Sequence, residues 1–299
     1  MPTKSQLLRD KVRVVVLDID DSSVGLAESA KLGVKLRQKV ESLLSEGGVD
    51  VIDRNLAASL QKEIMLAEMK GQHEYKGPEV ADYGVNGNVI AVNFSSSYSK
   101  ASSWVDKKGE THRTPPKCRY SIEFEGYLKV HALPSLQLVD TIKLTDTESR
   151  SHELEGYSTG RCPNYSKKQL NGLVAQAAVD AVVESTVEIK NNFAPLGYIT
   201  EARSNDGNNI FKITMGKLVG VQQGQNVNVF QFFKNEDILT GETNIEETKL
   251  VSGIVSNKVG NKYAWIIVDD AEKAKRIRLG DAVKVHYENN WFDNMKNAF

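Results

Sequence analysis

The sequence predicts an α+β unit, a mixed sheet with packed helices, followed by a small all-β barrel. Three observations carry this. The first half alternates apolar strands with helical stripes, as in VRVVVLDID and the leucine-spaced run after it. The segment RYSIEFEGYLKVHA then alternates apolar and polar residues for more than a dozen positions, which marks an antiparallel strand with one wet face. From about Gly197 the chain breaks into short strands separated by glycine turns, the pattern of a small barrel. The turn-forming NNFAP segment at 191–195 places the boundary between a first domain, 1–192, and a second, 193–299.

Each element has a local reason. Lys11 to Ile19 is a continuous apolar run, so it is expected to be a strand buried on both faces. Asp20 to Val24 is a polar turn in which Ser22 or Ser23 is placed to cap a helix. Leu32, Leu36, Val40, Leu43 and Leu44 then share one helical face, and Gly47-Gly48 stops the helix. Val49–Ile52 is a short second strand, and Leu56, Leu60, Ile64 and Ala67 stripe a second helix. The third strand spans Val85–Phe94, followed by a serine-rich polar run, SSSYSKASS, and a charged turn, DKKGETHRTPPK, that ends near Cys118. Pro134-Ser135 turns the long alternating strand into the partner LQLVDTIKL, and Thr145–Ser166 is expected to be a polar linker. Leu170, Leu173, Val174, Ala177, Ala181 and Val182 line the helix beyond it. The barrel strands are GYITEAR, NIFKITMG, QNVNVFQFF, KLVSGIVSNKV, YAWIIVDD and DAVKVHY.

Bulk properties narrow the function. The formal net charge is −1, which offers no overall basic balance for a phosphate backbone or an anionic membrane, so no nucleic-acid partner is expected. The densest basic cluster, Lys273 to Arg278, is offset by Asp269, Asp270 and Glu272. No stretch approaches 18 consecutive apolar residues, so no membrane-spanning helix is expected. MPTKSQLLRD lacks the apolar core of a secretory signal; taken as a native start it implies the cytoplasm, and an exported chain given a new Met has the same appearance. Cys118 and Cys162 lack zinc-ligand spacing; they are able to pair in an oxidising compartment and stay free in a reducing one.

Two readings of chemistry compete. Asp18-x-Asp20-x-Ser22 after a strand resembles the first motif of haloacid-dehalogenase-type phosphatases, in which one aspartate attacks phosphorus, the second is acid/base and Mg2+ offsets their charge. WIIVDD offers a second acidic strand end at Asp269 and Asp270. Against this, a regular amphipathic helix follows the motif at once, and the second acidic pair falls in the predicted barrel. The preferred reading is a strand end followed by a polar turn, with no catalytic residue, cofactor or metal. The five histidines are scattered, and His131 is placed on the solvated face of its strand.

GVDVIDRNLAASLQKEIML, at 48–66, carries a family resemblance. A strand ending in Asp53-Arg54, followed by a helix bearing Leu56, Leu60 and Glu63, resembles the pattern of the CsgG-like (curli-secretion) and TolB-N-like envelope proteins. The resemblance covers about residues 11–190, and it extends to GVNGNVIAVNF and to the hairpin FEGYLKVHALPSLQLVDTIKL. In that pattern Arg54 is given a structural role, pinning strand to helix through carbonyls or Glu63. ITMGKLVGVQQGQNVNV with the late Gly280-Asp281-Ala282-Val283 resembles the C-terminal, SH3-like small barrel of the flagellar assembly protein T family (FlgT). The resemblance implies a non-enzymatic, periplasmic or outer-membrane-associated scaffold. It would self-associate into a secretion or flagellar ring with other envelope proteins as partners. The alternatives are a Mg2+-dependent phosphatase using Asp18 and Asp20, and an outer-membrane regulator of peptidoglycan synthesis. The polar region 93–118 lacks the apolar face of a membrane-spanning hairpin.

Overall fold

The computed structural model describes residues 11–52, 81–133, 135–154, 160–205, 208–236 and 243–288. The first unit begins with β1 (Arg13–Asp20), α1 (Gly25–Ala30), α2 (Leu32–Glu46), β2 (Asp50–Val51) and β3 (Tyr83–Ser99). It continues through β4 (Ser102–Val105), β5 (Thr111–Thr114), β6 (Lys117–Ala132), β7 (Leu138–Glu153), α3 (Lys167–Glu184) and α4 (Thr186–Asn192). Its five-stranded sheet has the order β2-β1-β3-β6-β7, with β1 parallel to both neighbours and the β3-β6-β7 part antiparallel. The architecture is therefore α+β.

Helices and sheet bury each other as the stripes require. Leu32, Leu36, Val40, Leu43 and Leu44 of α2 share one core with Leu173, Val174, Ala177, Ala181 and Val182 of α3 and with Val14, Val16 and Ile19 of β1. Val15 and Leu17 point the other way, into a smaller cluster with Ala81 and Leu136. This two-sided burial is why the β1 run is continuous rather than alternating. At about 25 cal/mol per Å2 of apolar surface removed from water, each fully buried leucine contributes roughly 2 kcal/mol. The start of α3 is fixed by a capping box: Ser166 Oγ accepts from the Gln169 N–H, and the Gln169 side chain accepts from the Ser166 N–H.

Several local expectations are corrected. The strand expected to end at Phe94 runs to Ser99, because Ser95–Ser99 pair with Lys117–Ser121 of β6. The expected linker 145–166 is strand as far as Glu153, with Thr145 to Glu153 paired to Lys117–Glu125. The charged turn before Cys118 is the hairpin β4-β5. His131 is buried rather than solvated, and the Leu136 carbonyl lies 3.4 Å from its Nδ1. Neither Ser22 nor Ser23 caps a helix; Val24 is the N-cap of α1 and makes no side-chain cap bond.

The second unit is a closed six-stranded barrel, β10-β11-β12-β9-β8-β13. Its strands are β8 (Leu196–Asn205), β9 (Asn208–Ile213), β10 (Asn226–Glu236), β11 (Thr243–Val259), β12 (Ala264–Val268) and β13 (Ala282–His286), with the short α5 (Ala271–Ala274) before the last. Alternate residues such as Ile213, Val227, Val229, Ile266 and Val285 fill the interior. The basic cluster is paired locally, Lys273 with Asp270 at 3.4 Å and Lys275 with Glu272 at 2.6 Å.

The two units meet closely. Gly48 has φ +81°, and a Cβ there would lie 2.9 Å from the Val219 carbonyl carbon and oxygen. Asn191 pairs its side-chain amide with the Tyr287 backbone, donating to the carbonyl at 2.9 Å and accepting from the N–H at 2.9 Å.

Candidate functional site

The acidic turn after β1 is the first place to test for chemistry. Asp18 Oδ1 lies 2.6 Å from the Arg37 guanidinium, which is only 7% exposed and is carried by α2. Asp20 Oδ1 accepts from the Ser22 hydroxyl at 2.7 Å and from the Ser22 N–H at 2.9 Å. These two bonds, the side-chain one first, hold the Asp20 carboxyl below its ordinary range. Asp21 Oδ2 accepts from the Gly33 N–H at 2.8 Å, placing a carboxylate at the N-terminal end of α2 where the helix dipole favours it. Gly33 is dictated by the close approach of β1, since a Cβ there would overlap the Ile19 carbonyl oxygen.

Each of the three aspartates thus has a structural partner. A phosphoryl-transfer nucleophile at Asp18 would have to give up its guanidinium. Asp270, the other acidic strand end, accepts from the Lys273 N–H at 3.0 Å as the cap of α5 and belongs to the barrel rather than to the sheet of β1. The two acidic motifs are not brought together. Asp53, Arg54 and Glu63 lie outside the described residues.

Cys118 and Cys162 form a disulfide with Cα atoms 5.5 Å apart. It ties the first turn of β6 to the segment that leads into α3. Around it Tyr120 stacks on Tyr165 at 4.3 Å between centroids, and the Tyr120 hydroxyl donates to the Pro163 carbonyl at 2.8 Å. Burial, and then the neighbouring Tyr165, raises the Tyr120 hydroxyl above its ordinary pKa.

Three further groupings escaped the sequence. In the β4-β5 hairpin Asp106 Oδ2 lies 3.3 Å from His112 Nε2, with Glu110 within 4.8 Å, and Trp104 stacks on the imidazole at 4.4 Å. Asp106 is held below its ordinary pKa first by the Glu110 N–H, so the turn has a local explanation. A cleft of about 410 Å3 opens between the units, lined by Val12, Tyr83, Phe193, Met215, Lys262 and Lys284. The third is the edge of β7, read as linker; its signal was the alternation Thr145, Thr147, Ser149, Ser151 against Asp146, Glu148, Arg150, His152.

No family model matches the chain, and no curated protein matches it. Among solved structures it is similar to a PelC dodecamer variant from Paraburkholderia phytofirmans, at 15% identity and a TM-score of 0.25, covering 58% of this chain and 88% of that one. It is similar to lipoprotein GNA1162 from Neisseria meningitidis, at 10% identity and a TM-score of 0.25, covering 58% and 99%. A minor lipoprotein from Acinetobacter baumannii matches at 10% identity and a TM-score of 0.29, covering 62% and 95%. These neighbours are bacterial, and two of the three are lipoproteins; similarity at this depth carries no argument about what the present chain does.

Proposed function

We propose that the chain is a non-enzymatic scaffold of the bacterial cell envelope, periplasmic or associated with the outer membrane, with domains at 1–192 and 193–299. It joins copies of itself and other envelope proteins into a ring that serves secretion or flagellar assembly. The observation that carries the compartment is the disulfide, which consumes both cysteines of the chain. Disulfides persist in the periplasm and are rare in a bacterial cytosol. The scaffold reading is supported by the acidic turn, in which Asp18 and Asp21 bind Arg37 and Gly33 of α2 while Asp20 binds Ser22 within the turn. The ring and the secretion or flagellar role rest on the resemblance of residues 11–190 and of the glycine-spaced barrel segment.

Mass photometry of the oxidised chain, with and without detergent-extracted envelope fractions, tests the assembly. A closed oligomer of fixed stoichiometry is expected. A monomer at micromolar concentration with no affinity for envelope fractions would sink the ring.

A further inference from the structure

Strand β7 is an edge: β6 is its only neighbouring strand among the described residues. Which main-chain groups face outward follows from two hydrogen bonds. The Thr141 N–H donates to Asp140 Oδ1 at 2.8 Å, and the Lys143 carbonyl accepts from the Ser185 hydroxyl at 3.3 Å. Both use main-chain groups of odd-numbered residues, on the side away from β6. Antiparallel pairing alternates residue by residue between groups facing the partner and groups facing away. The outward set therefore continues through Thr145, Thr147, Ser149 and Ser151. Asp140 and Ser185 cap the beginning of the edge, and the stretch from Thr145 onward runs on past them.

Charge is distributed around that stretch on both sides of the sheet. On the open face, Glu123 and Glu125 of β6 sit opposite Thr147 and Thr145. On the helix-covered face, Asp146 lies near Glu184 and Asp180 of α3. Shallow grooves line both sides and share Thr145 and Glu184, one containing Glu123, Glu125 and Asp146, the other Asp140 and Glu188. The neighbouring cations are engaged: Lys143 with Glu125 at 3.0 Å, Arg150 with Glu148 at 3.3 Å, and Arg119, opposite Ser151, with the Ser149 hydroxyl at 2.9 Å. Asp146 Oδ2 is buried without a hydrogen-bond partner among the described residues. Burial first, and then the charge of Glu184, pushes the Asp146 carboxyl above its ordinary range. Natural edges are commonly protected by lysine, proline or a covering element. This one offers threonines and serines framed by acids.

We propose that the β7 edge from Thr145 to Ser151 is a docking site for an extended, lysine- or arginine-rich segment of another protein, added as a sixth strand to the sheet. A strand placed there directs alternate side chains to opposite faces. Because carboxylates border both faces, basic residues are favoured at successive positions rather than on one face only. The main-chain ladder supplies affinity, and the flanking acids select the sequence. A second copy of this chain is a poorer occupant, since its own β7 edge would set Asp146 and Glu148 against the same acids. The site goes beyond the envelope reading and does not depend on it.

The test uses the full oxidised chain and a fluorescein-labelled peptide, Lys-Val-Lys-Lys-Thr-Lys-Val-Lys, followed by fluorescence anisotropy. Saturable one-to-one binding that weakens with added salt is expected. The same peptide N-methylated at alternate residues keeps its charge but loses ladder hydrogen bonds, and should bind about tenfold more weakly. Thr147→Pro should match that loss, since proline is tolerated on a strand edge yet removes an outward N–H. Glu123→Lys should weaken binding, whereas Glu46→Lys, the same charge change on α2, should not. N-methylation leaves the protein untouched, so the result stands if Thr147→Pro fails to fold. The proposal is overturned if the parent peptide does not bind, or if the N-methylated peptide binds as tightly as the parent. Equal losses from Glu123→Lys and Glu46→Lys would also overturn it, as would a dimer of the chain alone that Thr147→Pro dissolves.

Discussion

Replacing both cysteines by alanine, Cys118→Ala with Cys162→Ala, should lower the unfolding free energy by about 4 kcal/mol. The figure follows from the 44 residues that separate them. Closing a loop of that length removes about 13 cal/mol/K of chain entropy from the unfolded state, worth about 4 kcal/mol at 25 °C. Alanine is the right replacement because Cys118 is fully buried, and a serine would add the cost of burying a hydroxyl. The closed loop contains most of β6 and all of β7, so the loss should appear in the transition of the first unit. Urea unfolding followed by circular dichroism, extrapolated linearly to water, measures it. Reducing the wild-type chain should reproduce the loss. If both treatments change stability by less than about 1 kcal/mol, the loop-entropy reasoning does not apply to this chain.

Three other outcomes follow from the contacts. Asp18→Asn should cost under about 1 kcal/mol, because the Asp18 side chain is 62% exposed, and a phosphomonoester assay should show no turnover for either protein. Gly48→Ala should cost about 1–2 kcal/mol from the left-handed backbone alone, and more from the approach of Val219, read as a lower calorimetric Tm. Asp146→Asn should stabilise the chain at neutral pH. The folded-state carboxyl titrates above its ordinary value of 3.8, so folding is penalised while Asp146 is ionised. Stability is therefore regained as pH falls through the raised value toward 3.8, and the asparagine variant should lack that share of the gain in a pH series of urea midpoints.

The sequence made legible the apolar stripes that build the cores, though it placed the buried His131 on a solvated face. The β1 run announced a two-faced core strand, the leucine spacing of α2 announced its stripe, and the glycine-bounded segments announced six barrel strands. It hid what depends on a partner strand. Ser95–Ser99 and Thr145–Glu153 are polar and locally look like loop, yet both are held by β6, whose ladder supplies the hydrogen bonds that their own side chains do not. The acidic turn was legible as a strand end, but its stabilising partners were not. Arg37 and Gly33 come from a helix more than ten residues away, while Ser22 serves Asp20 and Ser23 donates to the Val89 carbonyl rather than capping a helix. Two cysteines could not declare their own pairing; that needed β6 and the segment before α3 to be placed side by side.

An envelope scaffold works outside the cytoplasm with its cysteines paired, and thiol accessibility combined with fractionation in the cells that encode the chain measures both. Cells are lysed under alkylating conditions, and the protein is followed through cytoplasmic, periplasmic and membrane fractions with its free thiols counted by mass. Recovery with the periplasm or outer membrane and no alkylated cysteine is expected. Recovery in the cytoplasm with Cys118 and Cys162 both alkylated would contradict it.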